Sequence, residues 1–226
     1  MPKNYTAPAL HFPPELLLQA QPVRVVFFDV DGVLTDGGLY FSEAGESLKR
    51  FHTLDGHGIK LLQQAGITPA VVTGRDSAPL RLRLRQLGVD HAIFGTEDKL
   101  PAAQQILNTL GLDWSQAAAM GDDWPDLPML RHCALACAPA NAHPENLALA
   151  DWVSDFAGGQ GAVRQLCDLL LMASGQYRLG RFSSVWQRGE DGTWRVVFDD
   201  GLAPRPVEAA QVEAFHAGRV TACPPA

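Results

Sequence analysis

Acidic side chains recur in this sequence at the ends of apolar runs. Asp29, Asp31 and Asp36 lie in Phe28-Asp29-Val30-Asp31-Gly32-Val33-Leu34-Thr35-Asp36, and Asp122, Asp123 and Asp126 follow Met120-Gly121. A hydroxyl and a cation stand together in Thr73-Gly74-Arg75, and Lys99 comes a few residues after a third run. Carboxylates gathered in one place repel each other unless a cation sits between them. An all-oxygen set without His or Cys suits a hard ion such as Mg²⁺. A Mg²⁺ with open positions takes phosphate oxygens, for which Thr73, the glycine amides and Lys99 supply donors and positive charge. A carboxylate facing such a phosphate is a nucleophile, and a second carboxylate two residues on can give and recover a proton. The chemistry read here is phosphoryl transfer to Asp29, then hydrolysis of the aspartyl-phosphate. Asp29, Asp31, Thr73 and Lys99 are its catalytic residues.

Each piece is weak alone. Asp-x-Asp-Gly also opens Ca²⁺ loops, but Val33 and Tyr40 occupy the fifth and twelfth positions, which excludes an EF-hand. Thr-Gly-Arg is more often a turn, Lys99 a solvated lysine at a helix start, and Gly121-Asp122-Asp123 an N-cap cluster. The reading rests on all four occurring in this order, each after a buried run.

Those runs read as strands. Residues 23–28, 68–72, 91–95, 117–121 and 133–138 are continuous and apolar, the pattern of parallel strands covered on both faces, and 151–154 is a weaker sixth. Helical patterns lie between them: residues 59–65 before Gly66, 80–87 before Gly88, 101–110 before Gly111, and 163–172. Alternating strands and helices predict an α/β fold, a doubly wound and mostly parallel sheet. Ligands bind such sheets beyond the carboxyl ends of the strands, where these acids stand. Residues 38–52 break the alternation and predict an inserted β-hairpin turning at Glu43-Ala44-Gly45. Residues 1–22 read as an irregular extension with one helical turn around Glu15–Gln19. Residues 23–177 form the main domain, and 178–226 an extension with a second hairpin over 182–201, turning at Asp191-Gly192.

The chain has 226 residues, 46% hydrophobic and 19% charged, with net charge −7. That balance is globular, and it argues against nucleic acid or an anionic membrane as the main partner. No apolar run approaches the roughly 18 residues of a membrane span. The four cysteines lack metal-ligand spacing, and the expectation is reduced thiols in a cytoplasmic protein.

The segments DVDGVLTD, TGR, Lys99 and GDDWPDLP resemble the four motifs of the haloacid dehalogenase (HAD) superfamily of aspartate phosphatases. More narrowly, residues 23–176 resemble the 3-deoxy-D-manno-octulosonate 8-phosphate phosphatases, through DVDGVLTDGGLYFSEAGESLKRF, LDGHGIKLL, NAHPEN and GGQGAVRQLCDLLL. The resemblance implies a HAD-like Rossmannoid core and a Mg²⁺-dependent phosphoric monoester hydrolase in lipopolysaccharide biosynthesis. It makes Asp29 nucleophile and metal ligand, Asp31 acid–base group with its backbone carbonyl on the metal, and Asp122 the third ligand. Asp123 and Asp126 fall near or behind these. It makes Thr73 and Lys99 phosphoryl-binding, and His52, Asp55, Gly56, Lys60, Arg75 and Arg83 contacts to a sugar phosphate. The family often has Asn and Arg where His52 and Leu54 stand here, and Arg where Lys60 stands. A nine-carbon 9-phosphate is the alternative substrate, and a non-catalytic binding module the alternative class. Retention of both Asp29 and Asp31 argues against the latter.

Arg81 and Arg85 share a helix face and read as solvated, with Arg83 pointing elsewhere. His57, His91, His132 and His143 read as surface or capping residues. Lidded members of the superfamily carry a cap domain after the first or second motif. Here a hairpin and a helix fill the stretch from Asp29 to Thr73, and a helix and a strand fill that from Thr73 to Lys99. No cap fits. An open site chooses its substrate poorly unless another chain supplies a wall. The resembling family does this as a homotetramer with the hairpin at the interface, and the same assembly is expected here.

Overall fold

Residues 10–43 and 45–175 are described by the structure, a computed structural model, together with the backbone of two short strands further on. Residues 1–177 form one compact unit and 178–226 a second. In the first, strands β1 (Val25–Phe28), β4 (Thr68–Thr73), β5 (His91–Phe94), β6 (Ala117–Met120), β7 (Leu135–Ala138) and β8 (Trp152–Val153) form one sheet. Their order is β5-β4-β1-β6-β7-β8, and every pair is parallel. Two strands, β2 (Tyr40–Ser42) and β3 (Gly45–Leu48), make the expected hairpin apart from the sheet.

Successive strand residues feed opposite faces, as the period of two requires. Val26, Phe28, Val71, Ala118, Met120 and Leu135 pack under Ile59 and Leu62 of α2 (Thr53–Gln64), Leu80 and Leu84 of α3 (Ala78–Leu87), and Leu166 and Leu169 of α7 (Ala162–Ala173). Val25, Phe27, Ala70, Val72 and Ala119 pack under Ala103, Ile106 and Leu107 of α4 (Lys99–Leu110) and Met129 of α5 (Leu127–Leu130). Both faces are therefore covered, which is why the strands read as unbroken apolar runs.

Residues 10–22 are more than an irregular extension. Helix α1 (Pro14–Ala20) packs on α7, Phe12 and Leu16 lie in the core, and Phe12 meets Trp152 edge-on at 6.1 Å. Helices α5 and α6 (Pro144–Leu149) were not expected; each is under two turns and carries proline in its first turn. In the second unit β9 (Val185–Arg188) pairs antiparallel with β10 (Trp194–Phe198), as a hairpin over 182–201 requires. Its Asp191-Gly192 turn lies outside the described residues. No described helix is long and apolar enough to cross a membrane.

One packing contact bears directly on the loop after β1. The turn at Gly158-Gly159 lies against that loop: Gly159 N–H donates to Val33 O at 2.9 Å, and a Cβ on Gly158 would fall 1.7 Å from Gly32 O. Gly159 has φ +63°, and a Cβ there would meet the Thr35 and Asp36 backbone at 2.5 Å. The GGQG signature thus provides side-chain-free backbone to buttress the loop. Gly158→Ala is expected to lower stability by about 2–3 kcal/mol, a fall of roughly 5–10 °C in thermal midpoint. An unchanged midpoint would show that the two segments do not pack in this way.

Candidate active site

Sheet topology decides which loops meet. The chain winds one way from β1 to β4 and β5, then returns to place β6 on the other side of β1, so the switch point lies between β1 and β6. Phe28 pairs with Met120, so Asp29 stands level with Gly121 and Asp122 follows at once. Phe28 also pairs with Val71, which brings Thr73 to the same edge. Carboxylate oxygens of Asp29, Asp122 and Asp126 lie within 4.8 Å of one another. Lys99, at the first position of α4, donates to Asp29 Oδ1 at 2.7 Å and Asp126 Oδ1 at 2.6 Å.

Local backbone makes this approach possible. Gly32 has φ +95°, and a Cβ on it would come 2.0 Å from Asp122 Oδ2, so Asp122 leans over the glycine. Asp126 Oδ2 accepts from the N–H groups of Asp122 at 3.0 Å and Asp123 at 3.3 Å, fixing the loop after β6. Asp126 is 1% exposed and serves Lys99 and two backbone donors, so it supports the other two acids.

The electrostatics carry the strain of that crowding. Burial, with Asp126 close by, raises the Asp29 carboxyl to about 6 despite Lys99. Burial and the charges of Asp29 and Asp126 raise Asp122 to about 8. Burial acts to lower Lys99, but Asp29 and Asp126 outweigh it and keep the ammonium charged well above its ordinary range. Three acids with one lysine leave a deficit of positive charge, and their oxygens have the spacing and hardness that fit a divalent ion.

The remaining expected residues divide. Thr73 is buried, and its Oγ1 accepts from Arg75 N–H at 3.3 Å. The Asp31 carboxylate is outside the acid cluster: Lys49 donates to its Oδ1, and Arg75 Nε lies 3.8 Å from its Oδ2. Arg75 donates to Glu46 Oε2 at 3.0 Å, and Lys49 pairs with Glu46 Oε1 at 2.9 Å. His52 precedes α2 with its Nδ1 buried and unpaired among the described residues. Gly56 leaves room for Arg83, since a Cβ there would lie 2.3 Å from Arg83 Nη2. These residues and Phe51 line a small cavity between α2 and α3. Asp55, expected to touch substrate, is 1% exposed and accepts from Arg164 N–H at 2.8 Å, which caps α7. Its carboxyl is raised by burial. One Asp55 oxygen thus positions α7, while Oδ2 is buried without a hydrogen-bond partner among the described residues and the residue lines the same cavity. Lys60 is exposed on α2 and pairs with no described residue. Arg81 forks onto Asp76 with two 2.7 Å bonds and stacks on Phe94, a tie the solvated reading did not foresee. His143 caps α6 by accepting from Glu145 N–H at 3.2 Å. Glu46 and Lys49 were missed, because two charges on a short hairpin look solvated in sequence.

Comparison with known proteins identifies the family. A family model described as haloacid dehalogenase-like hydrolase matches residues 94–166. A Salmonella typhimurium protein named 3-deoxy-D-manno-octulosonate 8-phosphate phosphatase KdsC is 40% identical over 172 residues, 76% of this chain and 92% of its own length. The chain belongs to the 3-deoxy-D-manno-octulosonate 8-phosphate phosphatase family of haloacid dehalogenase-like hydrolases. Two solved structures of the family extend the comparison. The Moraxella catarrhalis phosphatase, a complex with magnesium ion, phosphate ion and KDO, is 37% identical, covers 71% of this chain and 92% of its own, and superposes with TM-score 0.69. The cobalt-bound form of the Haemophilus influenzae enzyme is 39% identical, with 70% and 92% coverage and TM-score 0.68. Both relatives hold a metal ion, and Asp29, Asp122 and Asp126 are the described group whose oxygens could hold one here.

The raised carboxyls give the cation a measurable signature. The folded state holds protons on Asp29 and Asp122 that the unfolded chain has lost, between their ordinary value near 3.8 and about 6 and about 8. Stability in EDTA must therefore fall as pH rises through that window. Saturating Mg²⁺ should raise the thermal midpoint by roughly 5–10 °C at pH 8, and by much less at pH 5. A midpoint in EDTA that climbs from pH 5 to pH 8 would contradict the assignment.

Proposed function

We propose that the protein hydrolyses 3-deoxy-D-manno-octulosonate 8-phosphate to the free sugar acid and phosphate, in supply of the lipopolysaccharide inner core, in the cytoplasm. The observation that carries the reading is the convergence of Asp29, Asp122 and Lys99 at the switch point, in a chain of this family. Asp29 and Asp122 would hold Mg²⁺, with the backbone carbonyl of Asp31 as a further ligand. The ion, when bound, neutralises the carboxylates and the phosphoryl oxygens. Asp29 attacks phosphorus, and the bond from phosphorus to the sugar oxygen breaks. Asp31 gives that oxygen its proton, then takes a proton from the water that cleaves the aspartyl-phosphate. Lys99 orients Asp29 and draws phosphoryl charge, and Thr73 supplies a hydroxyl donor at the same edge. His52, Asp55, Gly56 and Arg83, which line the small cavity between α2 and α3, together with Arg75 and Lys60, would bind the sugar acid; Gly56 makes the space for Arg83.

The test is phosphate release across sugar phosphates of six to nine carbons. The eight-carbon 8-phosphate is expected to have the highest kcat/KM, and a nine-carbon optimum would replace the substrate while keeping the reaction. Asp29→Asn should retain the fold by circular dichroism and lose at least about a hundredfold in kcat. Activity above that level would remove Asp29 as nucleophile.

We further propose a homotetramer. The hairpin exposes Leu39, Tyr40, Phe41 and Leu48, the last two at 64%, and no cap domain lies among the described residues. Light scattering should give a mass near four chains. A fully active species of about 24 kDa would reject the assembly.

A further inference from the structure

We infer that Lys49 and Glu46 of the inserted hairpin are positioning residues for Asp31. The inference rests on the reading of Asp31 as the acid–base group. The Lys49 side chain is 1% exposed, and its partners among the described residues are Asp31 Oδ1 and Glu46 Oε1. Glu46 Oε2 takes Arg75 Nη2 at 3.0 Å, and Arg75 Nε faces Asp31 Oδ2 at 3.8 Å. Two carboxylates and two cations therefore close a ring, with formal charges balanced.

Each member constrains the others. A buried ammonium without its partners is strongly unfavourable, so any rotation of Asp31 away from Lys49 is opposed. Glu46 has a separate task. Burial acts to raise its carboxyl, but Lys49 and Arg75 outweigh that and hold it ionised. Its negative charge draws Arg75 and Lys49 apart from Asp31 in part. Without it both cations would settle on Asp31 and lock its carboxylate between them. The loop after β1 fixes the backbone of Asp31 but not its side chain. Orientation of that side chain comes from a segment 18 residues further on. The hairpin is then part of the catalytic apparatus, and its apolar outer side is not its only use.

A merely structural network would tie the hairpin to the body and lower activity whether or not Asp31 is present. A double-mutant cycle separates the two. Steady-state phosphate release is measured with the octulosonate 8-phosphate and with p-nitrophenyl phosphate, both radiolabelled so that slow variants remain quantifiable. Lys49→Met is expected to lower kcat by about tenfold to a hundredfold with KM within about threefold, and Lys49→Arg to restore most of the loss. In an Asp31→Asn background the same Lys49→Met change should cost less than about twofold, because the group it positions is gone. Glu46→Gln should behave alike, and it carries the cycle if Lys49→Met does not fold. Equal losses in both backgrounds, or an unchanged kcat in a folded Lys49→Met protein, overturn the inference while leaving the phosphatase reading intact. Release from neither ester by the wild-type protein overturns that reading and this inference with it.

Discussion

Everything at this site follows from forcing three carboxylates into a space that water largely leaves. Two unit charges about 4 Å apart repel by about 4 kcal/mol at an effective dielectric near 20. Carboxylate oxygens of Asp29, Asp122 and Asp126 lie within 4.8 Å of one another, and among these acids Lys99 donates to Asp29 and Asp126. Asp122, which accepts no hydrogen bond from the lysine, is pushed to about 8, above Asp29 at about 6. The imbalance has a direction: it makes a place where a doubly charged cation relieves the folded protein, and where an anion such as a phosphoryl group is tolerated only together with that cation. Lys99 alone cannot do both, because its charge is already shared between two partners.

Such crowding needs a backbone that brings loops unusually close, and glycine provides it. Gly32 lets Asp122 pass where a methyl group would stand, and Gly158 and Gly159 press the far turn onto the same loop from the other side. The loop after β1 is thereby gripped from two directions, by the strand end that bears Asp122 and by the turn that starts α7. Asp55 joins in by capping α7. Several residues that look like ligands or spacers in the chain thus act on the site through the position of its backbone.

The difference between what the sequence disclosed and what it hid has the same origin. Strands β1, β4 and β6 were legible because burial on both faces leaves no polar alternation, and the acids that follow them were legible because the strand ends point them at one edge. Helix α1 read as a single turn, since Pro13 precedes it, Pro14 opens it and its buried face is only Leu16 and Ala20. Helices α5 and α6 are too short to show a period. The cap that Asp55 gives α7 was hidden because a cap and a ligand look identical as a lone acid. Glu46 and Lys49 escaped because their partners, Asp31 and Arg75, come from other elements, and no local spacing encodes that.

The hairpin joins two demands that a lidded enzyme would meet separately. Its outer residues Phe41 and Leu48 are exposed and apolar, while Lys49 turns inward to Asp31 and pairs with Glu46. A two-stranded ribbon is marginal in water by itself. Its place on the body therefore depends on the charged ring inside and on whatever covers the apolar side. If a second chain covers it, the strength of that contact and the orientation of Asp31 become one property, since both are fixed by where the same seven residues of β2 and β3, and the lysine just after them, come to rest. The cover on the apolar side and the orientation of Asp31 would then come from one segment, whose sequence announces only a hairpin.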